Sequence, residues 1–259
     1  MSSVFPTRFT LPLTREVRFT TRLNRAPDFT EVRTQDQLGP LFRWNLQLGP
    51  LSDSDLAAIQ SFHASCGGAY QSFVFLDPLD NLLSWSEDFT QAAWQKTTPS
   101  GVAITSGIAD PFGRATAQHI ANTSGLVNTL SQTIAANPQG ITFTGSVWLI
   151  GAATLHVTDG GSQTFSTNVT AGAWTRYSVT GAFAGTASQI VFAVDIAAGA
   201  SVSLFGAQLV ATAGAGSYTR TTTVSGFHPN CAFDPQPLAH RVIGPGVNQV
   251  KLSITEHAE

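Results

Sequence analysis

The stretch PLFRWNLQLGPLSDSDLAAIQSFHASCGGAYQSFVFLDPLDN (40–81) changes its hydrophobic period twice, and those changes decide the fold class at the start of the chain. In its first part Phe42, Trp44, Leu46 and Leu48 alternate with Arg43, Asn45 and Gln47, the period-two pattern of a strand with one buried face. The spacing then becomes helical, with Leu56, Ile59, Phe62 and His63 recurring every three to four positions. Ser52 or Asp53 can cap this helix, Asp55 sits in its first turn, and Gly67-Gly68 ends it. YQSFVFL (70–76) reads as a strand again, and DPLDN (77–81) as a turn. Upstream, residues 4–48 read as strands separated by turns, REVRFTTRL (15–23) among them.

Beyond Asn81 the composition shifts: residues 81–223 carry four basic and five acidic side chains and consist of short strands punctuated by glycine. These are GITFTGSVWLIG (140–151), TLHVTDG (154–160), SQTFSTNVT (162–170), WTRYSVTGAF (174–183), SQIVFAVDIA (188–197) and SVSLFGAQLV (201–210). A strand about every ten residues is the rhythm of an antiparallel sandwich. The tail from Val224 is too short and too proline-rich for a core of its own, and its KLSI strand resembles the style of the first unit. The expected organisation is therefore 1–80 as the first part of a β-rich domain with one helix, 81–223 as an antiparallel sandwich inserted at the DPLDN turn, and 224–259 as the segment completing the first domain. The fold class is mainly β.

Of 259 residues 11% are charged and 42% hydrophobic, which suits an ordered chain. A net charge of -3 gives no bulk attraction to nucleic acid or anionic lipid. No run approaches the roughly 20 apolar residues that span a bilayer, and Pro6, Arg8, Pro12 and Arg15 interrupt any secretory apolar region. Neither nucleic-acid binding nor membrane insertion nor signal-peptide export is expected. Cys66 and Cys231 fit no metal spacing, and a disulfide and two buried thiols both remain open, with thiols favoured. Seven of eleven arginines fall in the first 43 positions; Arg15, Arg18, Arg22 and Arg25 lie within eleven residues, as a solvated strand face or as an oligomer interface suited to neighbouring carboxylates.

FTLPLTREVRFTTRL (9–23), the 40–81 stretch and HRVIGPGVNQVKLSI (240–254) together resemble the tail-hub domain of distal tail and baseplate-hub proteins of siphophage-like tails, prophages and gene transfer agents. The matching features are the β-rich start, the helix ending at Cys66-Gly67-Gly68, the aromatic strand Tyr70-Phe73-Phe75 and the closing strand pair; that family's closing region is longer and more charged. DNLLSWSEDFTQAAWQKT (80–97) with VSLFGAQLVATAGAGSYTRT (202–221) is similar to the carbohydrate-binding-type jelly rolls grafted onto phage tail, fibre and bacterial surface proteins. The resemblances imply a homo-oligomeric ring, hexamer or trimer, with neighbouring tail proteins, and a jelly roll facing a host surface glycan.

Catalytic groups are sparse. Glu87, Asp88, Asp110, Asp159 and Asp195 are the acids of the sandwich, and Asp195, between Val194 and Ile196, points outward by alternation. The six histidines are scattered, Ser65, Cys66 and Ser86 lack a nucleophile elbow, and His63 reads as packing or surface. Glu87, Asp110 and Asp159 are the weaker candidates for a structural calcium, each also serving as a turn or capping residue, and no other cofactor is expected. Sugar recognition needs an exposed aromatic. Core packing is the plainer reading for Trp85, Trp94, Trp148 and Trp174; Trp148 looks core-facing, and Trp94, beside Gln95 and Lys96, is with Trp85 the candidate glycan platform. The expected function is a non-enzymatic virion structural protein of a phage-like tail tip, assembled in the bacterial cytoplasm, which displays a carbohydrate-binding module for host attachment. The alternatives are a free-standing carbohydrate-binding protein and, third, a glycan depolymerase.

Overall fold

A computed structural model describes residues 3–6, 13–19, 21–35, 41–235 and 237–257. In chain order the elements begin with β1 (Leu13–Arg18), β2 (Thr21–Arg25), β3 (Glu31–Gln35), β4 (Leu41–Leu51), helix α1 (Asp53–Ser65) and β5 (Phe73–Leu76). There follow β6 (Gln95–Lys96), β7 (Val102–Ile108), β8 (Ala117–Asn122), β9 (Asn128–Ile134), β10 (Thr142–Thr158), β11 (Thr164–Ala182), β12 (Ile190–Ile196) and β13 (Ser201–Val210). β14 (Phe227–Phe233), β15 (Ala239–Gly244) and β16 (Val247–Glu256) close the chain. The fold is mainly β, with antiparallel sheets and one α-helix among the described residues. It divides into two compact units, Leu76–Phe227 and Ser2–Phe75 with His228–Glu259.

The unit built from the two chain ends is a sheet in the order β1-β4-β16-β14-β5, with β15 also on β16. In β4 the alternating Trp44, Leu46 and Leu48 are buried, as their period requires. Helix α1 starts where the Ser52 hydroxyl accepts the Asp55 amide at 3.2 Å. It stops where Gly67 and Gly68, at φ +62° and +65°, return their amides to Ala64 and His63. Its Leu56 and Ile59 join a core centred on Phe5, whose ring lies 5.7–6.0 Å from those of Phe62, Phe73, Phe75 and Phe233. Cys66 and Cys231 are both buried in this core as thiols, and burial pushes the Cys66 thiol up from its ordinary value. The β2–β3 hairpin forms a separate two-stranded sheet. Of the FTLPLTREVRFTTRL stretch (9–23), residues 9–12 and 20 lie outside the described residues.

The other unit is a jelly-roll-type sandwich organised by one long hairpin. β10 pairs with β11 from Thr142↔Ala182 to Thr158↔Thr164. The opposite edge of β10 is shared, with β13 taking Thr144–Gly151 and β12 taking Thr154–Thr158. The division falls at a bulge between Leu149 and Gly151, where Gly151 adopts φ +111°. The hairpin thus has a base arm (142–149 with 175–182) and a tip arm (151–158 with 164–171). The base arm continues through β13, β8 and β7, and the tip arm through β12, β9 and β6.

The two arms face each other. A Cβ on base-arm Gly145 would meet the Phe192 ring at 2.5 Å and Val157 Cγ2 at 2.8 Å; one on Gly181 would meet Phe165 at 2.1 Å. Phe143, Val147 and Leu149 of the base arm and Leu155 and Val157 of the tip arm fill the space between, all 0% exposed. Because Phe192 is fully enclosed, it cannot swing aside for a larger residue. Gly145→Ala is expected to lower stability by about 1–3 kcal/mol, read from chemical denaturation; an unchanged midpoint contradicts this packing of the arms.

Candidate functional site

The outer face of the base arm is built by a turn, a strand pair and a return segment. In Asp110-Pro111-Phe112-Gly113 the proline sits at the second position and the glycine at the fourth, as a tight turn favours. Asp110, 4% exposed, fastens this turn. Its Oδ1 accepts the amides of Phe112 (2.7 Å) and Arg114 (3.0 Å), and its Oδ2 accepts Arg114 Nε (2.8 Å) and Thr116 Oγ1 (2.6 Å). Burial raises the pKa of this carboxyl, but the donors of Thr116, Arg114 and Phe112 outweigh it and hold the value at about 2. The turn leaves the Phe112 ring 62% exposed, with the Arg114 guanidinium over it at 5.5 Å.

Beneath Phe112 lies Trp148 of β10, with ring centroids 5.8 Å apart. Trp148 lies on β13 beside Phe205 (5.8 Å) and meets the edge of Tyr218 at 5.3 Å. Gly206 permits this approach, because a Cβ there would come within 3.0 Å of Trp148 Cε3. Arg176 of β11, directly opposite Trp148 in the ladder, places its guanidinium 4.6 Å from the indole. Two of its donors are engaged, Nη1 with the Gly216 carbonyl (2.7 Å) and Nη2 with Ser146 Oγ (3.0 Å), whereas buried Nε has no acceptor. Two positions earlier Trp174, half-exposed, donates Nε1 to the Ala109 carbonyl at 2.9 Å and so ties β11 to the Phe112 turn. Tyr218 donates to Glu87 Oε1 (3.1 Å), and Arg220 Nε pairs with Glu87 Oε2 (3.0 Å). Burial pushes the Tyr218 phenol up. Aromatic rings, guanidinium groups and backbone carbonyls together offer what a ring-shaped polar ligand needs: an apolar platform with directed hydrogen bonds around it.

The tryptophans expected to form a glycan platform lie elsewhere. Trp94 is 2% exposed, packed on Phe89 (5.0 Å) and near Phe192 (6.4 Å), with Nε1 donating to the Trp85 carbonyl. Its ring faces are enclosed, so the exposed-platform reading of Trp94 is corrected to core packing. Trp85 is half-buried at φ +51° in the turn that receives that indole. Trp148 is corrected in the other direction: Val147 and Leu149 take the core-facing positions, and Trp148 stands on the outer face.

Asp195 points outward as alternation required, and there accepts Thr129 Oγ1 (2.6 Å) and meets His156 Nε2 (2.7 Å), a pairing not read from the sequence. The calcium candidates sit in separate places. Asp110 is fastened as described, Glu87 is held by Tyr218 and Arg220, and Asp159 caps a turn by accepting the amides of Gly161 and Gln163. Of the arginine row, Arg15 lies over Phe42 at 5.3 Å and Arg25 Nε bonds Glu31 at 3.1 Å, both within their own chain. Arg18 is exposed, and the Arg22 side chain lies outside the described residues.

No family model matches the sequence, and no curated protein is significantly similar to it. Among solved structures, the enzymatically active domain of bacteriophage CBA120 tailspike protein 4 aligns with a TM-score of 0.43 and 13% identity, over 53% of this chain and 22% of that one. The CBM22-1 xylan-binding domain of Paenibacillus barcinonensis Xyn10C aligns at 0.39 and 16% identity, over 52% of this chain and 97% of its own. TmCBM61 in complex with β-1,4-galactotriose aligns at 0.38 and 17% identity, over 51% and 99%.

Because the folded-state pKa of Asp110 lies below its ordinary 3.8, its contribution to the turn is complete above that value and is lost as pH falls through about 2. At neutral pH, Asp110→Asn should speed hydrogen exchange of the Phe112 and Arg114 amides about tenfold or more, as expected when bonds to a charged acceptor are weakened. Unchanged exchange would show that the turn holds without the carboxylate.

Proposed function

We propose that this chain is a non-catalytic structural protein of a phage-like tail tip, in which the unit formed by the chain ends assembles into a ring and the jelly roll meets a host-surface glycan. The observation that carries the assembly reading is the β2–β3 hairpin. Among the described residues its strands pair only with each other. Leu23, Phe29 and Val32 are 52%, 83% and 56% exposed. An isolated two-stranded hairpin is marginal in water and gains stability by packing on further strands. A second copy offers a suitable surface, since β15 is an edge strand whose Val242 and Ile243 are 65% and 54% exposed. An arm on one copy meeting a different edge on the next is a heterologous contact, which makes a ring where the rotation between copies closes.

The glycan reading rests on the outer face of the base arm, where the exposed Phe112 ring, backed by Trp148, supplies apolar surface beside guanidinium donors. The non-catalytic reading is supported by the engagement of Asp88, Asp110 and Asp159 with donors of their own turns, of Asp195 with Thr129 on the neighbouring strand and of Glu87 with Tyr218. In the ring many weak contacts act together, so that single-site affinity need not be high. The reading places the chain in a virion tail assembled in the bacterial cytoplasm, next to other tail proteins, and calls for no cofactor.

Native mass spectrometry across a range of concentrations tests this. Three or six copies are expected, and the double variant Leu23→Asp, Val32→Asp should shift them to monomer without loss of circular dichroism. A monomer at every concentration contradicts self-assembly and favours the free-standing carbohydrate-binding alternative.

A further inference from the structure

Residues 76–227 contain seven acidic and four basic side chains, so the jelly roll is an acidic body. Its three arginines nevertheless gather on one face. Arg114 lies over Phe112 and Phe205, Arg176 over Trp148, and Arg220 reaches the Glu87 carboxylate that also binds Tyr218. Two of the three are neutralised within the chain, Arg114 by Asp110 at 2.8 Å and Arg220 by Glu87 at 3.0 Å. Arg176 has no carboxylate within ion-pair distance among the described residues. It spends two of its five donors on neutral oxygens, Gly216 O and Ser146 Oγ, and its Nε finds none.

A half-buried guanidinium with no counter-charge in a negatively charged domain is costly unless it meets an anion in use. Packing on Trp148 and bonding to Gly216 and Ser146 give this arginine a structural role, but none of those partners supplies a negative charge.

We infer that the face beside Trp148 takes an acidic saccharide, whose carboxylate meets Arg176 while its ring lies against Phe112. The inference rests on the glycan reading and adds its chemical class. A carboxylate suits the Nη hydrogens that Gly216 and Ser146 leave over, Nε being buried, and such a pair is strongest where water is partly excluded. The apolar C–H surface of the same sugar ring suits the exposed phenyl, and a uronic or sialic acid unit presents both features on one ring. Arg114, paired with Asp110, borders the phenyl and leaves Arg176 as the cation of this face that lacks a carboxylate partner among the described residues.

The test titrates the full chain by calorimetry with matched oligosaccharides: oligogalacturonate against oligogalactoside, oligoglucuronate against oligoglucoside, and oligosialate. At least one acidic member is expected to bind tenfold or more tightly than its neutral counterpart, with an affinity that falls as salt is raised. Arg176→Gln should abolish the preference and Arg176→Lys should restore it only in part, whereas Phe112→Ala should weaken acidic and neutral ligands alike. Near-ultraviolet circular dichroism identifies any variant that fails to fold, and in that event the wild-type acidic-to-neutral ratio and its salt dependence decide. Neutral ligands that bind as well as acidic ones overturn the inference and leave the glycan reading intact. Failure of every oligosaccharide to bind overturns both.

Discussion

The bend at Gly151 is the constraint from which the jelly roll follows. A flat strand as long as β10, 17 residues, would extend for roughly 55 Å at about 3.3 Å per residue, too long for one layer of a small sandwich. The left-handed backbone of Gly151 and the two extra residues of β11, where 172–174 face Ile150 alone, turn the hairpin back on itself. A side chain there would strike the Ser201 carbonyl, 2.9 Å from the position of a Cβ. Each arm of the folded hairpin recruits its own strands, and the small residues Gly145 and Gly181 accept the aromatic rings of the opposite arm. The bend also creates the candidate site. Trp148 and Arg176 face each other across the ladder just before it, and Trp174 stands in the stretch of β11 that the bulge leaves unpaired.

Much of this architecture was legible from residue pattern. The alternation of β4, the cap at Ser52 and the paired glycines after α1 are local signals, and local geometry fulfils them. The outward direction of Asp195 followed from parity alone. Parity failed at Trp148 because both faces of β10 are covered there, one by the opposite arm and the other by the Phe112 turn and Tyr218. Alternation separates two faces without saying which is the core, and the missing side chain of Gly145 weakened the core stripe of Phe143, Val147 and Leu149.

Trp94 follows its core-packing reading and not the platform one, for a different reason. Its polar neighbours Gln95 and Lys96 form a strand of only two residues, while Trp94 itself lies in the preceding turn, so their polarity says nothing about its ring. The residues now placed at the site were visible singly. Asp110-Pro111-Phe112-Gly113 carries the signature of a tight turn, which marks Phe112 as a turn residue. Nothing in the spacing of Phe112, Trp148 and Arg176 could show that the fold in Gly151 brings them together. The partners of β10 are decided by where it bends, and that is a tertiary property.

On the proposed reading the two units divide the work: one supplies strand edges for assembly and the other a recognition face held on the rigid base arm. On that reading ligand binds at this outer face and not at the polar tip-arm face around His156 and Asp195. Hydrogen exchange of the full chain, with and without carboxylated oligosaccharides, tests it most directly. Slowed exchange is expected in the segments holding Phe112, Trp148, Arg176 and Gly216, with the tip arm unchanged. Slowing centred on Thr129, His156 and Asp195, or no slowing in either face, would contradict it.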